Sequence, residues 1–214
     1  AVKQYSDDTE LDDRYILYLY SIKRSKYLKQ KLNNYMRTID VSVTQTLCQG
    51  LEEVSADECS VNLNCKTVLR TKQVIPQPID LHSKPAITKV KPTTVIDLPF
   101  NFISKEKAPY VTYSPFSKAI YSFLDPNGYI YVLSNSDIKL LECIHITGVF
   151  EDPLELANYN NCCDCDNPSP CFNEDIEDYP IQSELVDLIR EEVVRDIIRT
   201  IQLPEDTENN AENS

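Results

Sequence analysis

The stretch AIYSFLDPNGYIYVLS, residues 119–134, decides the fold class. Two short runs rich in Tyr, Ile, Phe and Val flank Asp125-Pro126-Asn127-Gly128. Proline presets φ at the first corner, and glycine accepts a left-handed backbone because it has no Cβ to clash. Pro-Asn-Gly in that order fits a type I turn closed by a G1 bulge, a connection of antiparallel hairpins. Just downstream, IKLLECIHITGVF (138–150) is expected to add a third strand. With 119–124 and 129–134 it would make an antiparallel meander.

Moving toward the N-terminus, VSVTQTLCQGLEE (41–53) reads as a strand bent or bulged near Gly50. CKTVLRTKQVI (65–75) reads as another, stopped by Pro76 and Pro78. Pro76, Pro78, Pro85 and Pro92 punctuate residues 76–92, which predicts an extended arm lying over a surface. VIDLPFNFI (95–103) holds Pro99 and is an edge strand at best.

The ends of the chain have helical periodicity. Leu11, Tyr15, Leu19, Ile22, Leu28, Leu32 and then Tyr35 or Met36 recur at helical spacing, and Thr9 with Asp12 fits a capping start. A helix over about 9–35 follows. Pro180 is expected to open a second helix, with Leu185, Leu188, Ile189, Val193, Ile197 and Ile201 on one stripe and Pro204 ending it. Between them, residues 158–180 form an acidic, Cys-rich loop. The fold class is α+β, with an N-terminal and a C-terminal helix around an antiparallel β-sheet. One domain over 1–203 carries an acidic tail at 204–214, whose composition is that of a disordered segment unless a neighbour holds it.

Charge is distributed unevenly. Residues 1–150 hold 18 of the 21 Lys and Arg and 16 of the 34 Asp and Glu, whereas residues 151–214 hold 3 and 18, a formal charge of −15. Such a block repels phosphate backbones and attracts basic surfaces. It argues for protein partners and against sequence-specific nucleic-acid binding, despite the basic run Lys23, Arg24, Lys26, Lys29, Lys31 and Arg37 with Tyr27 and Tyr35 among it. Thirteen Tyr against six Phe and no Trp suit half-exposed interface positions. The opening AVKQYSDD has no apolar leader core, and no stretch approaches 18 apolar residues, so neither a secretory leader nor a membrane span is expected.

Catalytic patterns are absent. Gly50, Gly128 and Gly148 are too scattered for a phosphate loop, and no Ser lies in GxSxG. His82 and His145 form no HExxH; the first reads as solvated and the second as a structural strand residue. The acid pairs Glu151/Asp152 and Glu174/Asp175 read as solvated faces before acid–base machinery. Cys162, Cys163, Cys165 and Cys171 fall within ten residues, and Cys162, Cys165 and Cys171 have the spacing of a partial zinc site that Cys59 and Cys65 would complete. The plainer readings are free thiols, or disulfides formed after release from the cell. No cofactor other than such a zinc is expected.

The strings QTL (45–47), VLRTKQVIPQPI (68–79), AITKV (86–90), YIYVLS (129–134), ITGVFEDP (146–153) and YPIQSELVDLI (179–189) resemble the head–tail connector ring proteins, adaptor or neck, of crAss-like and related short-tailed phages. The resemblance spans about residues 9–200. It implies a non-enzymatic virion structural protein made in the host cytoplasm. It also implies twelve-fold rings stacked below a portal, around the channel through which DNA leaves, with the portal and other ring proteins as partners. Independently of it, the basic helix would meet the acidic segment of an identical neighbour, with Lys23, Arg24, Lys26, Lys29 and Lys31 facing Glu174, Asp175, Glu177 and Asp178. A head-to-tail contact that closes makes a ring. Two other classes stand beside this reading. One is a small Cys-rich, zinc-stabilised protein-interaction module; the other is a hydrolase using carboxylates and a divalent ion.

Overall fold

The computed structural model describes residues 13–35, 39–82, 84–93, 98–112, 119–134, 141–159, 170–173 and 176–202. Two long helices, α1 (Asp13–Tyr35) and α3 (Ser183–Gln202), bracket the strands β1 (Gln45–Ser55), β2 (Thr67–Thr71), β3 (Ile87–Pro92), β4 (Asn101–Phe102), β5 (Tyr121–Leu124), β6 (Ile130–Leu133) and β7 (Cys143–Gly148). A single-turn helix, α2 (Ala108–Thr112), precedes β5. The strands form one seven-stranded mixed sheet in the order β3-β7-β1-β2-β6-β5-β4. The α+β expectation holds. The expected capping start at Thr9–Asp12 lies outside the described residues.

The hairpin forms as its turn residues require. β5 and β6 pair antiparallel from Tyr121↔Leu133 to Leu124↔Ile130. Gly128 has φ 84°, its N–H donates to the Asp125 carbonyl at 2.9 Å, and a Cβ there would stand 2.5 Å from Val74 Cγ1. Only glycine fits that corner.

The meander does not form. β7 pairs with β1 and β3, not with β6. All four residues of β6 are buried, so both its faces and both its edges need cover. Its second edge takes β2, through Leu69↔Val132 and Arg70↔Tyr131. β7 lands three places from β6, with β1 and β2 between them, where Ile144 and Ile146 enter the interior. Consecutive strands are neighbours only about two-thirds of the time.

β1 joins the two halves of the sheet. Gln45–Gly50 pairs with β7 and Leu51–Ser55 pairs with β2, so the strand changes partner at Gly50, where a bend is expected from sequence. The strand itself starts later than its β-branched pattern suggests, because Val41–Val43 form a 3₁₀ turn capped by the Asp40 side chain. The sheet curls until its edges meet, and the Phe100 N–H donates to the Val90 carbonyl at 2.7 Å, from the approach to β4 onto β3. The result is barrel-like, with Leu47, Ile87, Val90, Ile130, Val132, Ile144 and Ile146 inside.

The proline-rich stretch is not a surface arm. Ile79, Ala86, Ile87 and Val90 are all buried, and residues 87–92 are the edge strand β3. Pro85 and Pro92 bound that strand, and a sheet edge tolerates their missing N–H groups. Gly148 of β7 permits the close fit here, since a Cβ would stand 2.9 Å from the Ala86 carbonyl oxygen.

Two further apolar clusters lie outside the barrel. Phe123, Tyr131, Leu133 and Val68 pack under Ala108 and Leu63, with Phe123 and Tyr131 stacked at 5.5 Å. Leu28 of α1 and Leu185, Ile189 and Val193 of α3 pack on Val43, Ile79, Ala86 and Val149. The α3 stripe is as expected at Leu185, Ile189, Val193 and Ile197, whereas Leu188 is exposed and the side chain of Ile201 is outside the description.

Candidate assembly surface

α1 and α3 form one layer on the barrel, and Arg24 fastens it. Its guanidinium is fully buried, with Nε donating to the Pro180 carbonyl at 2.6 Å, Nη1 to Phe150 at 2.7 Å and Nη2 to Val43 at 3.3 Å. The Tyr179 ring lies 5.8 Å from the guanidinium carbon. One side chain thus ties the entry to β1, the exit of β7 and the entry to α3 onto α1. Burial lowers the Arg24 pKa to about 10, and burial raises that of Tyr179 to about 12. Arg24 stays charged at neutral pH, and its planar fork satisfies carbonyls that burial would otherwise leave orphaned.

The expected basic face is therefore largely internal to the fold. Arg24 is not a contact residue between subunits; it is a core clamp. Lys23 bonds Asp196 at 2.6 Å and Glu192 at 3.4 Å, and Lys31 pairs with Glu184 and with Gln182. Tyr27 donates to Glu192. The acidic partner that sequence assigns to a neighbouring copy is, for these residues, the chain's own α3. The Tyr27 hydroxyl first, then Lys23, holds the Glu192 carboxyl below its ordinary range, and Lys23 does the same to Asp196. Lys26 and Lys29 point outward, and Lys26 approaches Glu192 at 4.0 Å and lies 5.5 Å from the Tyr27 ring centroid. Glu177 and Asp178 are exposed, while Glu174, Asp175, Arg37 and the tail 204–214 lie outside the described residues.

The outer face of α1 is what sequence reasoning missed. Tyr15, Tyr18 and Ile22 recur at three- and four-residue intervals and are 39%, 60% and 43% exposed. Tyr15 and Ile22, expected to face the core, face away from it. The signal is present in YILYLYSI (15–22), where apolar residues occupy too many consecutive positions for one buried stripe. On α3, Val194 and Ile198 form a second outward pair, 48% and 46% exposed. Beside the α1 stripe runs an open groove of about 380 Å³, lined by Tyr18, Ile22, Lys26 and Lys29 of α1 and by Ile79, Glu151 and Asp152.

The cysteines are placed apart. Cys59, Cys65 and Cys171 are free thiols and Cys48 is in a disulfide. Cys59 and Cys65 sit in the loop after β1, whereas Cys171 lies near the other end of that strand and hydrogen-bonds the backbone of Cys48. Cys59 and Cys65 therefore do not join Cys171. Cys162, Cys163 and Cys165 lie outside the described residues, and no group of three metal-ligating side chains occurs among the described residues. His82 is exposed, and His145 sits mid-β7 opposite Cys48 and Lys91. No described helix is long and apolar enough to cross a membrane.

A barrel-like sheet under a helical layer with internal ion pairs thus leaves apolar stripes exposed on both long helices. The comparisons give that architecture a specific place, that of a virion structural ring component. Residues 1–214 match the family described as phage tail ring protein 2, and the chain belongs to that family. It is 29% identical over 215 residues to Ring protein 2 of Bacteroides phage crAss001, covering 98% of this chain and 91% of that relative.

Proposed function

We propose that this protein is a non-enzymatic ring component of the head–tail connector or neck, assembling as a twelve-fold ring below the portal around the DNA exit channel. The observation that carries the reading is the family match along the whole chain, together with a near full-length relative that is itself a ring protein. The charge distribution supports the channel role. An excess of acid in residues 151–214 disfavours phosphate contacts, so DNA would slide past without sticking. The outward Tyr and aliphatic stripes suit neighbours in a stack.

The test is the native mass of the purified protein, alone and mixed with a portal ring, by light scattering and electron microscopy. A closed oligomer of about a dozen copies, stacked coaxially on the portal, is expected. A protein that closes no ring in either setting overturns the reading.

A further inference from the structure

We propose that the ring closes through a helix-to-groove contact, in which the outer face of α3 from one copy lies in the groove beside α1 of the next. This rests on the ring reading and identifies its contact surface. Along α1 the groove is lined by Tyr18 and Ile22 and then, one to two turns further on the same face, by Lys26 and Lys29, with Glu151 and Asp152 also lining it. The outer face of α3 matches it in kind. Val194 and Ile198 are the apolar pair, and beside them Glu191 with Arg195 and Asp187 with Arg190 present both signs of charge. An acid on α3 thus has a lysine to meet, and an arginine has a carboxylate.

The charges between α1 and α3 are not offered to a neighbour. Lys23, Lys31, Glu184, Glu192 and Asp196 are already paired between α1 and α3 of one chain. Lys26 and Lys29 of the groove are exposed, and the ion pairs on the outer face of α3 are solvent-accessible, so both can meet a neighbour. These are two different patches of one molecule, so the contact is heterologous. Each copy offers a groove to one neighbour and a helix to the other, which is the arrangement that makes rings.

The experiment uses Ile22→Asp and Ile198→Asp in the full chain. Both positions are about half exposed, so the monomer is expected to keep its circular dichroism and melting temperature. Each variant alone should need about tenfold or more protein to assemble, since a carboxylate is forced into an apolar contact. Mixed one to one, they should form dimers containing one of each, because the intact groove of Ile198→Asp receives the intact helix of Ile22→Asp. Wild type that assembles, alone or on a portal ring, while either variant assembles equally well overturns this inference and leaves the ring reading standing. Failure of the mixture to yield mixed dimers overturns it too, and would assign the groove to another occupant such as residues 203–214. Wild type that closes no ring in either setting overturns both.

Discussion

Arg24 donates to the carbonyl oxygen of Phe150 at 2.7 Å, across 126 positions of sequence. With Pro180 and Val43 as its other acceptors, Arg24 ties α1 to three separate points of the chain. The Coulomb attraction of Lys23 for α3 adds to a geometry that Arg24 already fixes.

Replacing Arg24 with Met should therefore cost about 3–5 kcal/mol, because three buried carbonyls lose their donors. Arg24→Lys should fall between, since a single ammonium cannot span acceptors that a fork reaches. Urea unfolding measures both. A loss under about 1 kcal/mol for Arg24→Met would mean that water reaches the three carbonyls and the clamp is unimportant.

The α1–α3 ion pairs give a pH dependence whose sign is fixed. Glu192 and Asp196 have folded-state pKa values below their ordinary ones, held there by Tyr27 and Lys23. Their contribution is complete above the unfolded carboxylate range, about pH 4, and is lost as pH falls through the folded values. Lys23 is raised, chiefly by its bond to Asp196, so its own contribution is lost only in strong alkali. Lys23→Met should be less stable than wild type at pH 7, and the gap should narrow as the pH falls to 3 and below. If the gap persists unchanged at pH 3, Lys23 acts through the packing of its stem and not through charge.

The hairpin and both helices were legible because each rests on local rules, turn chemistry and periodicity; Gly50 stood out as a lone glycine in a strand, and there β1 changes partner. The partner of β7 was not, since IKLLECIHITGVF pairs equally well with any edge that offers an apolar face. Nor was the fate of residues 76–92, where four prolines mask the apolar positions Ile79, Ala86, Ile87 and Val90, all of them buried. Composition showed two complementary charge blocks but not that the chain folds one onto the other. That outcome depends on Arg24, a buried cation whose acceptors are backbone carbonyls and leave no sequence signature. The outward stripe of α1 was readable in YILYLYSI as an excess of apolar positions, but only a structure says which of two apolar faces is inside.

The three glycines should respond differently to alanine. Gly128→Ala forces a Cβ onto φ 84° and into Val74, and should cost about 1–3 kcal/mol. Gly148→Ala meets the backbone oxygen of Ala86 at 2.9 Å and should also destabilise. At Gly50 the nearest atom is Lys72 Cδ at 3.1 Å, on a side chain free to move, so Gly50→Ala should stay within about 1 kcal/mol of wild type. Thermal melts rank them, and a Gly50 variant as damaged as the Gly128 one would mean that the partner change in β1 needs glycine for a backbone reason.

Closure of the sheet rests on a short meeting of edges, and Phe100 is the residue that makes it. Its N–H reaches Val90 at 2.7 Å while its ring, 6% exposed, packs inside the barrel. Truncation to Ala removes the ring that holds the β4 approach against β3, and should cost about 3–5 kcal/mol. An open sheet would not couple these two effects, because a frayed edge exchanges its amide quickly whatever its side chain does. Hydrogen exchange separates the cases. In a closed sheet the Phe100 amide should be protected to a degree comparable with the central strand β1, and Phe100→Ala should release protection in Val90 and its neighbours on β3 as well. If the Phe100 amide exchanges within seconds in the wild type, the edges meet only transiently and the interior cluster is held by the β3-β7-β1-β2-β6-β5 strands alone.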